Sequence, residues 1–200
     1  MIAILDYDAG NLKSVEKALI FLGEECVITR DRREVRQADK LILPGVGSFG
    51  TAMEQLKKYE IDKMLKEAAE EKPVLGICLG LQLLFDGSEE SGGVEGLHLL
   101  KGSILKIPDK EGLKIPHIGW NSLLLSNGGK LFEGMEEEPY VYFVHSYYLK
   151  AEDESIVKAS AEYGVHIHAS VEQGNLFACQ FHPEKSSSTG LSILSNFAGL

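Results

Sequence analysis

The sequence predicts an α/β fold: a mostly parallel central sheet with helices on both faces and an antiparallel region added in the second half. Three observations carry this. Short apolar runs at Ile2 to Leu5, Cys26 to Thr29, Leu41 to Leu43 and Val74 to Ile77 alternate with helical patterns in the first half. Strands without polar alternation are buried on both faces, as parallel strands between helix layers are. From residue 86 onward the helices give way to strand-like runs separated by turns.

The elements follow in order. After Ile2 to Leu5, Asn11 stands where a helix cap is expected. Leu12, Val15, Leu19 and Leu22 then recur at helical spacing, and Gly23 is the stop signal. Phe49 to Lys58 and Ile61 to Glu71 read as amphipathic helices, and Val74 to Ile77 as the central strand. DGSEESGGVEG (86–96) is a charged, glycine-rich loop inside the domain, because the sheet still needs later strands. Ser103 to Ile107, Tyr140 to Val144, Ile156 to Ala161, His166 to Val171 and Leu176 to Phe181 form the expected antiparallel region. Leu191, Leu194 and Phe197 mark a closing helix. Residues 1–200 are expected to form a single domain, and the strand-like start at Ile2 implies that no secretory leader precedes the fold.

Composition excludes several classes. Net charge is −10, which argues against a general nucleic-acid surface. No apolar run approaches a membrane span. Cys26, Cys78 and Cys179 are an odd number without framework spacing, which fits a reducing cytoplasm. No metal-ligand spacing is present. His166 and His168 would share one face of a strand, where solvated or packed histidines are the simpler reading.

The chemistry-bearing stretch is VLGICLGLQLLF (74–85). An apolar run leads into Cys78, glycines stand two residues to either side, and a helical pattern begins at once. This is the grammar of a nucleophile elbow with sulphur in place of oxygen. Gly76 and Gly80 are expected where neighbouring backbone comes too close for a Cβ. A helix N-terminus at the sulphur favours thiolate over thiol. A thiol nucleophile needs a base, and the base an orienting group. FACQFHPEKSS (177–187) offers His182 as the base and Glu184 as the acid that fixes its tautomer, with Pro183 stiffening the backbone between them. Acyl transfer also needs N–H donors for the oxyanion. Leu79 supplies one, and the loop Gly45, Val46 and Gly47, after the run ending at Leu43, suits the other.

The elbow GICLGLQ, the PGVG loop and the FHPE box, in this order, resemble the class I (triad) glutamine amidotransferases over the whole chain. DYDAGNLKSV (6–15), PHIGWN (116–121), YFVHSYY (142–148) and QFHPEKSS (180–187) are similar to the glutaminase subunits of imidazole glycerol phosphate synthases, which serve histidine biosynthesis. The resemblance implies a three-layer, flavodoxin-like fold and hydrolysis of L-glutamine without a cofactor. It also implies a (β/α)₈ barrel cyclase as heterodimeric partner. It makes Gly47, Gln82, Ser146 and Tyr147 substrate-binding residues, although Gln82 also reads as a solvated helix residue. Asn11, Trp120, Asn121 and Tyr142 are the expected partner contacts, with core as the other reading of Trp120. Asp8 departs from the family pattern, which has glycine in that loop. Three rivals stay open: a sibling glutaminase for anthranilate or pyridoxal phosphate synthesis, a non-catalytic relative, and a redox thiol protein. A non-catalytic relative would not need all three triad positions filled, and a redox protein lacks a resolving cysteine near Cys78 in sequence.

Overall fold

The computed structural model describes residues 1–135 and 137–200. Its centre is an eight-stranded sheet. Strands β1 (Ile2–Leu5), β2 (Cys26–Thr29), β3 (Lys40–Gly45), β4 (Val74–Cys78) and β12 (Leu176–Cys179) lie in the order β2-β1-β3-β4-β12, all parallel. The sheet continues antiparallel through β11 (His166–Gln173), β10 (Val157–Glu162) and β7 (Leu124–Leu125).

The apolar runs are continuous because each face of the sheet carries its own core. Ala3, Leu5, Leu41, Leu43 and Val74 face α3 (Phe49–Lys58) and α4 (Ile61–Glu71) through Phe49, Met53, Leu56 and Leu65. Ile2, Ile4, Ile42, Leu75 and Ile77 face α1 (Leu12–Phe21) and α6 (Ser187–Ala198) through Val15, Leu19, Ile193, Leu194 and Phe197. At about 25 cal/mol per Å² of apolar area, each of these Val, Leu, Ile, Met and Phe side chains contributes about 1.5–3 kcal/mol on burial. Among the described residues no helix is long and apolar enough to cross a membrane.

The second half differs in arrangement from the single antiparallel region expected. β12 belongs to the parallel part. β5 (Gly102–Lys106) leaves the sheet and pairs with β9 (Tyr147–Ala151), while β6 (His117–Ser122) pairs with β8 (Tyr140–His145). Two two-stranded ribbons thus stand outside the main sheet. The short helix α2 (Arg32–Gln37) was also not anticipated. Only Val35 of it is buried, so it carries little apolar periodicity, and its signal is the Asp31 cap, which accepts from the N–H groups of Arg33 and Glu34.

Asn11 precedes α1, but its side chain caps nothing among the described residues. Its backbone carbonyl accepts from Ser14 and Val15 instead. Asp8 sits at φ +63°, a conformation that suits the family's glycine and that aspartate tolerates. Its carboxylate pairs with Arg30 at 2.6 Å and accepts from Tyr59 Oη, so a side-chain clamp holds the loop here.

Candidate active site

β3, β4 and β12 end side by side. Gly45 is in register with Cys78, and Cys179 with Ile77. The segments leaving these ends are Val46–Gly47, the elbow after Cys78, and Gln180 to Glu184. Parallel pairing therefore brings residues a hundred positions apart to one edge, at the carboxyl ends of the strands.

Cys78 occupies φ +55°, ψ −108°, which a non-glycine residue holds only where its surroundings dictate it. They do so by close approach. A Cβ on Gly80 would lie 1.9 Å from the Leu43 carbonyl oxygen, and one on Gly76 would lie 2.8 Å from that of Gly80. The following helix, α5 (Leu79–Leu83), is only five residues long. The expected helix dipole is correspondingly small, and the charged neighbour described next matters more.

His182 and Glu184 leave the chain just after β12, at a tight turn from Pro183 to Lys185. His182 Nδ1 donates to Glu184 Oε1 at 2.8 Å, and both side chains are buried. Burial alone would lower the His182 pKa. Hydrogen bonds to Cys78 and Glu184, and their negative charges, outweigh it and push the pKa up to about 10. The imidazole thus lies between a sulphur and a carboxylate, both of which favour its cationic form. The backbone is equally fixed: His182 N–H donates to the Tyr142 carbonyl, Ser186 Oγ donates to the His182 carbonyl, and Tyr142 N–H donates to Ser186 Oγ.

A cavity of about 340 Å³ opens over the sulphur. Val46, Gly47, Cys78, Leu79, Gln82, Ser146, Tyr147 and His182 line it, all named from sequence. Gln82 is buried rather than solvated, and its Nε2 donates to the Tyr147 carbonyl at 3.1 Å. The cavity also takes Glu90, Pro116, Val144, His145 and Lys185, which sequence reasoning did not single out. Pro116, Val144, His145 and Lys185 stood inside motifs of the resemblance, and Glu90 in the charged loop.

The glycine loop divides in two. Gly45 is a strand residue, where a Cβ would meet Tyr7 Oη at 2.5 Å, and Tyr7 Oη donates to the Pro44 carbonyl. Its missing side chain serves close packing. Gly47, at φ +99° with open space around it, retains the conformational freedom. The expected partner contacts also separate. Trp120 is 53% exposed, which removes the core reading, and meets the Tyr142 ring edge-on at 6.0 Å. Asn121 is engaged within the chain, donating to the Glu162 carbonyl.

Behind the cavity, His145 Nε2 lies 3.0 Å from His117 Nδ1, and His117 stacks between Phe143 and Tyr163. Burial lowers His117 to about 4. Burial, against the pull of the Tyr147 carbonyl, lowers His145 to about 3. From the ordinary histidine value near 6.5 down to pH 4, the unfolded chain binds protons that these folded groups refuse. Stability must fall as pH falls across that window. The expected result is a melting temperature that drops from pH 6.5 to 4, less steeply in His117→Phe. Equal slopes would refute the assignment; His182, raised rather than lowered, acts at higher pH.

A sequence profile described as "Glutamine amidotransferase class-I" matches residues 3–199. "Imidazole glycerol phosphate synthase subunit HisH" of Oceanobacillus iheyensis is 47% identical, covering 98% of this chain and 98% of that protein. The protein of the same name from Caldanaerobacter subterraneus subsp. tengcongensis is 48% identical, covering 98% and 97%. Among solved structures, one described as "glutamine amidotransferase" superposes with a TM-score of 0.77 at 20% identity, covering 98% of each chain. "PurLQS from Thermotoga maritima" superposes with a TM-score of 0.76 at 23% identity, covering 99% of this chain and 97% of that one. These two likenesses establish the fold.

Proposed function

The chain belongs to the class I glutamine amidotransferase family, and from that premise we propose that it is the glutaminase subunit of an imidazole glycerol phosphate synthase, in histidine biosynthesis. The observation that carries this is identity near one half, over nearly the full length of both chains, with proteins of that name. The reaction is hydrolysis of L-glutamine to glutamate and ammonia.

In this reading Cys78 thiolate attacks the side-chain amide carbon. N–H groups of Leu79 and of the Val46–Gly47 loop hold the oxyanion. The His182 imidazolium gives its proton to the leaving ammonia, and a γ-glutamyl thioester remains on Cys78. Neutral His182 then takes a proton from water, which attacks the thioester. Collapse expels glutamate and restores thiolate and imidazolium. Glu184 holds Nδ1 and balances the charge. Gln82, Ser146 and Tyr147 floor the substrate site, while Glu90 and Lys185 offer charges opposite to glutamine's ammonium and carboxylate.

Ammonia released into water is protonated and ceases to be a nucleophile, so a (β/α)₈ barrel cyclase docks over the site. The exposed Ile118 and Trp120, with Tyr142 beside them and Asn11 on the first loop, suit that contact, since aromatic anchors dominate interface centres. A reducing cytoplasm fits the three free thiols.

The test is glutamate release by the subunit alone and with a barrel cyclase holding its ribotide ligand. A free glutaminase wastes glutamine, and Gly47 permits its peptide to face away at rest. Gaining one oxyanion donor is worth about a hundred- to a thousand-fold, so stimulation of that order is expected. Equal rates would end the latency reading, and stimulation by an anthranilate synthase partner instead would reassign the pathway.

A further inference from the structure

A buried row of polar side chains runs away from the nucleophile, and a single backbone carbonyl sets its polarity. The Tyr147 oxygen can only accept. It lies 3.1 Å from Gln82 Nε2 and 2.8 Å from His145 Nδ1, so both of these donate to it. Gln82 Nε2 also reaches Gln180 Oε1 at 3.1 Å. Because that Gln82 nitrogen is a donor, the Gln180 atom facing it must be the carbonyl oxygen. Gln180 Nε2 is then turned toward the Cys78 sulphur, 3.8 Å away. The reverse orientation would set two NH₂ groups against each other. Gln180 is wholly buried, so water cannot replace either contact.

We propose that Gln180 is a further catalytic residue, whose side-chain N–H, aimed by Gln82 and Tyr147, donates to Cys78 Sγ whenever that sulphur carries negative charge. In the proposed reaction the sulphur carries that charge as the attacking thiolate and again when the thioester breaks. The titratable groups around the sulphur are His182, with Glu184 behind it, Tyr7 and Cys179, and, on the cavity wall, His145, Glu90 and Lys185. Burial and the Cys78 charge raise Tyr7, and burial with the charges of Glu184 and Cys78 raises Cys179, so both stay neutral. Gln180 thus adds a neutral donor to the charge supplied by His182. The same row makes Gln82 both a cavity wall and the residue that orients the donor.

This assignment rests on Cys78 being the nucleophile, and its test is separable from that reading. The full chain, in complex with a barrel cyclase, is prepared as wild type, Gln180→Met and Gln180→Glu. Gln180→Met removes the donor at similar volume. Gln180→Glu keeps an acceptor for Gln82 but turns an oxygen toward the sulphur. Cys78 alkylation by iodoacetamide is followed against pH, with peptide mass spectrometry separating it from Cys26 and Cys179. The half-maximal pH is expected to rise in Gln180→Met and to rise further in Gln180→Glu. For glutamine, kcat should fall by about tenfold in Gln180→Met, the low end for a hydrogen bond to a charged group, with little change in KM. Gln82→Met leaves Gln180 in place without its orienting donor; its profile should move the same way, and it decides the matter if position 180 tolerates neither change. An unmoved alkylation profile in the folded variants overturns the proposal even if turnover falls, because that is the signature of a packing role. If the wild-type complex releases no glutamate yet its alkylation depends on Gln180, the glutaminase reading fails and the contact stands.

Discussion

Cys78→Ala is expected to abolish glutamine-dependent turnover in the complex while leaving synthesis from free ammonia intact. The thioester needs the sulphur, and no other thiol can replace it: Cys179 is fully buried behind the sheet end, and Cys26 lies on β2, away from the cavity. In a serine triad, loss of the nucleophile costs on the order of 10⁶ in kcat, and a comparable fall is expected here. The check is a pair of assays on one preparation, one fed glutamine and the other an ammonium salt at high pH. Appreciable glutamine turnover by Cys78→Ala would dismiss it as nucleophile. Parallel loss of the ammonia-fed reaction would mean that the substitution had damaged the complex.

His182→Ala should cost nearly as much, Glu184→Ala distinctly less, and the double variant little more than His182→Ala. His182 moves protons, whereas Glu184 acts through it. In a serine triad, removing the acid alone costs on the order of 10⁴. The geometry adds a reason for a large Glu184 effect. The pair is buried, so deleting the carboxylate leaves an imidazolium without its hydrogen-bonded counter-charge. Glu184 Oε2 has no hydrogen-bond partner among the described residues, so the carboxylate's contact with His182 runs through Oε1 alone. Kinetics of the two single variants and the double variant decide the point. Losses that multiply in full would show two residues acting independently.

What could be read before the structure was what neighbouring residues encode. β1, β3 and β4 announce themselves because both faces are apolar, and α3 and α4 because their stripes are regular. α2 stayed hidden because it buries one side chain. β6 reads poorly as a strand because Ile118 and Trp120 point outward from a ribbon with a single partner strand. The site behaves likewise. Cys78, His182 and Glu184 each sit in a local motif with its own chemical logic. Gln180 and His117 lie inside motifs too, but nothing local signals their roles, which arise from partners 102 and 28 residues away. Glu90 lay in a stretch whose composition says only that it is a loop.

The backbone at Cys78 bears on where activation can act. That residue is held in a costly conformation by strands on both sides and by two glycines packed against carbonyls, so the elbow is already built in the isolated subunit. Such an arrangement cannot be graded: it is either intact or lost with the sheet. On the proposed latency, control over the rate falls to the Val46–Gly47 turn, which hangs off the sheet, and not to the elbow. The molecule divides into a fixed elbow and a turn free to move, and in the proposed complex a docked partner would act on the second without disturbing the first.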